Sequence, residues 1–272
     1  MKETRFAYVA GLIDADGDLT ISRSASSGYV QYDPLIRIGS SHIPTLKWLV
    51  AKFGGYFRKT KPVDGRKSFY IWKFSSDKHA SRFLERVYPY LWLKKSQAEV
   101  LQKYYSLIGT QNPTEREILA HQIRKLNQSE SHTTNTSRVS LTGKMLQAYL
   151  AGAFDGEGSC YILRAKQSKG DSHYYRASVS FGSTWKAIVV CFVKKYGGCW
   201  RERPPHNFGK LTMYQWDVRD NPTRLKFLLY TLPYLITKRE QAKLVLTFIR
   251  IKGSNPSLRE SLRQGCCQLN GR

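Results

Sequence analysis

The chain has 272 residues, 41% of them hydrophobic, with 44 Lys+Arg against 20 Asp+Glu and a formal net charge of +24. That length leaves room for two ordinary domains, and the hydrophobic content excludes global disorder. The charge points to a polyanionic partner. No apolar run is long enough for a membrane span, no signal-peptide core opens the chain, and five cysteines without a CxxC pair argue for a reducing compartment and against a zinc site.

In chain order, residues 6–13 suit a short helix that ends at Asp14-Ala-Asp-Gly17. The next stretch alternates, with Leu19 and Ile21 facing a core while Thr20, Ser22 and Ser24 face out. Ser26-Ser-Gly28 reads as a turn and residues 29–38 as the returning strand. Pro44 opens a helix with Leu46, Trp48, Leu49 and Phe53 on its apolar face, stopped at Gly54-Gly55. Residues 56–61 and 68–74 form a second hairpin around Pro62-Val-Asp-Gly65, and residues 79–87 and 96–107 read as helices.

The polar stretch 109–143 reads as a linker, with one helix over 115–126 and a flexible Ser/Thr/Asn run. The order then repeats, with helices near 144–154, 185–196, 221–231 and 238–251. Its hairpins turn near Ser168-Lys-Gly170 and Pro204-Pro-His-Asn207. The expected divisions are therefore 1–108, a linker over 109–143, 144–253, and a tail of poor order over 254–272.

The duplication is explicit in the residues. Val9-Ala-Gly-Leu-Ile-Asp14-Ala-Asp16-Gly17 is echoed by Leu150-Ala-Gly-Ala-Phe-Asp155-Gly-Glu157-Gly158, Phe53-Gly-Gly by Tyr196-Gly-Gly, and Tyr70-Ile-Trp72 by Tyr214-Gln-Trp216. Pro89-Tyr-Leu-Trp-Leu-Lys94-Lys-Ser-Gln97-Ala98 is echoed by Pro233-Tyr-Leu-Ile-Thr-Lys238-Arg-Glu-Gln241-Ala242. The offset between copies rises only from 141 to 144, which marks a repeat of whole domains and a pseudo-symmetric pair.

The Ala10-Gly11 and Ala151-Gly152 pairs let two helices approach backbone to backbone, which would bring Asp16 and Glu157 together at their ends. Two close carboxylates repel unless a cation lies between them, and Mg²⁺, an oxygen-seeking ion, is the natural one. Mn²⁺ or Ca²⁺ can occupy the same kind of site. Asp-Gly is also an ordinary turn signal, so one motif alone would mean little. Lys94 and Lys238 are the second duplicated polar feature, placed to stabilise developing charge or polarise a water, with a solvated lysine opening a helix as the plain alternative.

The hairpins carry Arg23, Arg37, Arg58, Lys59, Lys61, Arg66, Lys67 and Lys73 in the first half. Arg164, Lys166, Lys169, Arg176, Arg201, Arg203 and Lys210 follow in the second. Together they fit a basic β-surface in a DNA major groove. The strand positions assigned to DNA are Thr20, Ser22, Ser24, Gln31, Arg37, Arg58, Thr60, Ile71 and Lys73, then Tyr161, Leu163, Gln167, Arg176, Ser180, Arg201, Arg203, Gln215 and Asp217. Trp72 and Trp216 read as core.

Both motif copies resemble the LAGLIDADG homing endonucleases, in the single-chain form with two motifs, over about residues 5–108 and 144–252. Val9 stands for the first leucine, Ala153-Phe154 for Leu-Ile, and Glu157 for the last aspartate. The resemblance implies an α+β protein of two αββαββα repeats. Each repeat has a curved four-stranded antiparallel sheet forming a DNA-binding saddle, and the two motif helices pack together.

It further implies metal binding by Asp16 and Glu157, assisted by the carbonyls of Ala15 and Gly156. Lys94 and Lys238 become active-site lysines, and Ser40 and Ser183 map to water-positioning residues. The expected activity is a Mg²⁺-dependent, site-specific, staggered double-strand break, made by a monomer on about 20 base pairs of asymmetric DNA. The alternative on the same scaffold is an intron RNA maturase, with host intron RNA as partner. A non-catalytic DNA-binding regulator would have no use for both acids. An organelle and a bacterial or phage cytoplasm both satisfy the reducing-compartment reading.

Overall fold

The computed structural model describes residues 2–26, 29–60, 69–110, 112–128, 141–166, 173–205, 211–251 and 255–269. It divides into two compact units, Met1–Ala153 and Phe154–Arg272. In the first, α1 (Glu3–Asp16) leads into β1 (Gly17–Ser26) and β2 (Tyr29–Ser40), then α2 (Ile43–Phe53), β3 (Tyr56–Lys59) and β4 (Tyr70–Lys73). The helices α3 (Asp77–Val87), α4 (Lys95–Ser106) and α5 (Pro113–Gln128) follow. Helix α6 (Gly143–Glu157) passes into the second unit. There β5 (Gly158–Lys166), β6 (His173–Ser183), α7 (Lys186–Tyr196), β7 (Cys199–Arg203), β8 (Met213–Asp217), α8 (Asn221–Thr231), α9 (Arg239–Arg250) and α10 (Pro256–Leu269) repeat the order.

Each unit holds one four-stranded antiparallel sheet, ordered β1-β2-β4-β3 in the first and β5-β6-β8-β7 in the second. The two-residue alternation dictates which side is apolar. Leu19, Ile21, Ile36, Ile38 and Trp72 are buried on the helix side of the first sheet; Cys160, Ile162, Ala177, Val179, Phe181 and Trp216 are buried on that side of the second. Both tryptophans are fully buried, and each indole N–H donates to a helix-ending carbonyl: Trp72 to Gly54 at 2.9 Å and Trp216 to Gly197 at 2.8 Å. The Gly-Gly pairs there need their glycines, since φ lies at 79° and 77° for Gly54-Gly55 and at 95° and 87° for Gly197-Gly198.

Two elements extend the expected architecture. The linker helix is longer than read, and the stretch read as a tail of poor order instead forms α10. Helix α5 packs on α4 and β1, while α10 packs on α9 and β5, so they are equivalent parts of the repeat. Each starts with an Asn side chain accepting a backbone N–H three residues on, Asn112 from Glu115 at 3.2 Å and Asn255 from Leu258 at 3.0 Å. Asn112-Pro113 and Asn255-Pro256 stand 143 apart, a duplicated cap signal inside stretches set aside for their polarity. In α10 the buried Cys266 supplies the docking side, and Glu260 bonds Arg263 at 2.6 Å and the Tyr175 hydroxyl of β6 at 2.9 Å. The Ser/Thr/Asn run and the tips of three of the four predicted hairpins lie outside the described residues, as does half of the fourth, at Pro204-Pro-His-Asn207. Among the described residues no helix is long and apolar enough to cross a membrane.

Within the first unit, α1 crosses α6 at its small residues. Ala10, Gly11 and Ala151 are buried with Gly152, and a Cβ on Gly11 would fall on the Tyr149 carbonyl oxygen while one on Gly152 would fall on that of Tyr8. Any side chain here must separate two backbones. Gly11→Val or Gly152→Val is therefore expected to lower unfolding free energy by about 3 kcal/mol, seen as a lower urea midpoint. A midpoint equal to that of the parent protein would mean the crossing tolerates a larger spacing.

Candidate active site and nucleic-acid interface

The two motif helices end in the same side-chain arrangement. Asp14 and Asp155 are both only 3% exposed, so a carboxylate at either position needs donors. Asp14 finds them in the backbone N–H groups of Trp92 (2.7 Å), Leu93 (3.0 Å) and Lys94 (2.8 Å), and in the Tyr149 hydroxyl at 2.7 Å. Asp155 accepts from the N–H groups of Ile236 (2.7 Å), Thr237 (3.0 Å) and Lys238 (2.8 Å). These amides lie in the turns that lead into α4 and α9, ending at the cap residues Lys94 and Lys238. Burial pushes the Asp14 carboxyl above the usual carboxylate range, opposed by the Tyr149 hydroxyl and the Trp92 and Lys94 amides.

The lysines return the contact. Lys94 Nζ donates to the carbonyls of Ile13 at 2.7 Å and Gly17 at 2.6 Å, which brackets Asp16. Lys238 Nζ donates to the Asp155 carbonyl and, at 3.4 Å, to that of Gly156. An ammonium at a helix C-terminus meets the last carbonyls and the negative end of the helix dipole. Each motif helix is thus tied to the following Pro-Tyr-Leu segment by a carboxylate in one direction and an ammonium in the other. Sequence reading found the lysines and missed Asp14 and Asp155 as their partners. The signal was present, because both acids are duplicated with the lysines.

The second acids behave differently. Asp16 and Glu157 are the last residues of α1 and α6, and both are exposed. Ala15 and Gly156 beside them are half-buried. Their donor chemistry is all oxygen, carboxylate and carbonyl, at a helix end that attracts cations, which fits a hard divalent ion. The Gly156 carbonyl already shares its lone pairs with Lys238, so it is the weaker candidate of the two carbonyls. Among the described residues no group of three or more His, Cys, Asp or Glu side chains gathers in one place, so an ion held here needs waters or phosphate oxygens to complete its shell.

Ser40 and Ser183 end β2 and β6, and each hydroxyl accepts a backbone N–H two residues on, from His42 at 3.0 Å and Trp185 at 3.1 Å. Both close the turn into the next helix, a role that accounts for their repetition. Each still has a hydroxyl hydrogen to donate.

On the sheets, register decides which basic residues share the face away from the helices. In the first unit Thr20 pairs with Leu35, Ser24 with Gln31, Arg37 with Lys73, and Arg58 with Ile71, and Ser22 and Thr60 join them by alternation. In the second, Tyr161 pairs with Ser178, Leu163 with Arg176, Ser180 with Asp217, Arg201 with Gln215, and Arg203 with Met213. Every DNA-assigned position falls on that face except Gln167, which lies outside the described residues. Lys61, Arg66, Lys67, Lys169 and Lys210 lie outside them too.

Four basic residues leave the set. Arg23, Lys59, Arg164 and Lys166 pair with Tyr32, Tyr70, Tyr175 and His173 on the opposite parity, the helix side. Acids hold two of the remainder: Arg37 bonds Asp18 and Arg201 bonds Asp217 at 2.9 Å, and Gln215 also donates to Asp217 at 2.7 Å. Asp217 therefore orients its neighbours.

No family model matches the sequence, and no curated protein matches it. Solved structures do. The meganuclease I-SmaMI bound to uncleaveable DNA superposes with a TM-score of 0.71 at 16% identity, over 99% of each chain. The fold is that of the LAGLIDADG homing endonucleases. The enzyme of that class I-GzeII in complex with its DNA target gives a TM-score of 0.66 at 17% identity, over 97% of this chain and 96% of that one. I-CpaMI, a LAGLIDADG meganuclease bound to uncleaved DNA, gives 0.67 at 14% identity over 98% of both. In LAGLIDADG terms, the Asp14–Lys94 and Asp155–Lys238 locks secure the ends of the two motif helices, and the last acid of each motif faces outward.

Proposed function

We propose that the chain is a site-specific homing endonuclease that makes a staggered double-strand break in a long asymmetric DNA target, with Mg²⁺ as its working metal. The carrying observation is the duplicated exposed acid, Asp16 or Glu157, at the end of a motif helix locked by a buried acid and a lysine. The basic and polar sheet faces support it, as does the I-SmaMI structure solved with cleaved DNA. An intron RNA splicing role on the same scaffold would leave both exposed acids without chemistry.

Asp16 and Glu157 would hold the metal, with Ala15 and Gly156 carbonyls assisting. When bound, Mg²⁺ supplies charge neutralisation at the phosphate and a more acidic water. Lys94 and Lys238 fix the helix ends and place positive charge beside each acid, where negative charge grows on phosphate oxygens. Ser40 and Ser183, whose hydroxyls accept from His42 and Trp185, would use the remaining hydroxyl hydrogen to position a water. The sheet faces bind the duplex: β1 of ten residues and β2 of twelve span roughly 33–40 Å, or about ten base pairs per repeat and about 20 for one monomer. Base-edge contacts come from these strands, while the +24 charge supplies a salt-sensitive phosphate contribution. All five cysteines are free, consistent with work in a reducing compartment, whether an organelle or a bacterial or phage cytoplasm.

The test is cleavage of a randomised plasmid library with Mg²⁺ and with EDTA, followed by sequencing of the cut ends. Staggered ends at one long site, dependent on the metal, support the reading. Intact plasmid throughout overturns it. Lys94→Ala and Lys238→Ala are each expected to slow single-turnover cleavage about a hundredfold while changing DNA affinity little. Equal losses in rate and affinity would reduce the lysines to phosphate contacts.

A further inference from the structure

Each sheet carries a glycine on the face assigned to DNA, at the same place in the repeat. Gly39 lies in β2 opposite Ile71, and Gly182 lies in β6 opposite Gln215. A large apolar side chain lies over each, from Phe69 just ahead of β4 and from Met213 at the start of β8. A Cβ on Gly39 would come within 2.6 Å of Phe69 Cε1, and one on Gly182 would stand 3.4 Å from Met213 Cε. The glycines stand 143 apart and their covers 144, the spacing of the whole repeat.

Glycine in a strand interior weakens it, and one remedy is a neighbouring side chain laid across it. That accounts for the packing. It does not account for what stays open: Phe69 is 45% exposed and Met213 39%. Both share their face with basic residues: Phe69 follows by alternation from the Arg58–Ile71 pair, and Met213 stands opposite Arg203. The backbone under the ring is held as well, since the Phe69 carbonyl accepts both the N–H of Thr60 at 2.9 Å and its hydroxyl at 3.0 Å. A side chain resting on glycine over a pinned strand loses little rotamer freedom on binding.

We propose that Phe69 and Met213 are specificity residues that read the C5-methyl group of thymine, one in each half of the target. This rests on the endonuclease reading and deepens it. An apolar side chain in the major groove offers no hydrogen bond, and the thymine methyl is the one apolar feature that groove displays. Duplication at equal register makes the pair a designed feature of both half-sites, whereas scattered surface hydrophobics need no explanation.

The test uses the target recovered from the cleavage library. Each thymine is replaced singly by deoxyuridine, which removes only the methyl, and affinity and single-turnover rate are measured. One position in each half-site is expected to lose about fourfold in affinity, the worth of one buried methyl group. The loss at one position should vanish in Phe69→Ala and at the other in Met213→Ala. If Phe69→Ala does not fold, Phe69→Gln covers Gly39 with a polar group and should likewise abolish the methyl effect. Cleavage with no methyl-sensitive position, or with one that neither variant alters, overturns the proposal and leaves the endonuclease standing; failure to cut any library member removes both.

Discussion

Asp16→Asn or Glu157→Gln is expected to abolish double-strand cleavage while leaving DNA binding intact. Each substitution keeps the shape of the side chain and removes the ionised oxygens that a hard divalent ion requires. Both acids are exposed at helix ends, so neither change alters the packed core. Losing a metal's outer-shell partner costs about 10–100-fold in activity, and losing a direct ligand should exceed that. Binding should hold or tighten slightly, since removing a negative charge lessens repulsion of the phosphates of the proposed DNA target. Supercoiled plasmid separates the three outcomes on one gel, as intact, nicked and linear DNA, while fluorescence anisotropy follows affinity. Full linearisation by either variant in Mg²⁺ would end the assignment.

Much of this site was legible because the chain states it twice. A single Asp-Gly at a helix end is a common turn, but Asp16-Gly17 and Glu157-Gly158 at matching places in matching helices are not explained by turn chemistry alone. The sheet faces were legible through alternation, which places Thr20, Ser22, Arg37 and Arg176 correctly by parity. The same rule would have separated Arg23, Lys59, Arg164 and Lys166, which charge alone had grouped with the rest. The Asp14–Lys94 lock was not legible as a contact, because it joins positions 80 residues apart and depends on how α1 meets the start of α4. Helix α10 was hidden by polarity, as its exposed face outweighs the single docking side marked by Cys266. The repeated Asn-Pro start was the stronger clue, since a cap is a specific hydrogen bond and polarity only an average.

Replacing the buried acid of the lock should cost as much stability as forcing the helix crossing apart. Asp14→Asn keeps volume and replaces one acceptor oxygen by an NH₂ group. Three backbone N–H groups and the Tyr149 hydroxyl point at that carboxylate. Whichever way the amide turns, two donors meet inside a region that is 3% exposed. Breaking a buried, hydrogen-bonded charge from one side typically costs about 3–5 kcal/mol. A loss of about 3 kcal/mol is therefore expected for Asp14→Asn and for Asp155→Asn, whereas Tyr149→Phe, which removes one donor of four, should cost about 1 kcal/mol. Urea unfolding measures all three, and an Asp14→Asn protein within about 0.5 kcal/mol of the parent would show that the lock contributes little. The functional consequence is directional. Asp14 holds the amide of Lys94 and Asp155 that of Lys238, so each substitution loosens one lysine and one motif-helix end. At a temperature where the variants stay folded, Asp14→Asn and Asp155→Asn should then slow cleavage of opposite DNA strands, and each should accumulate nicked plasmid of the complementary polarity.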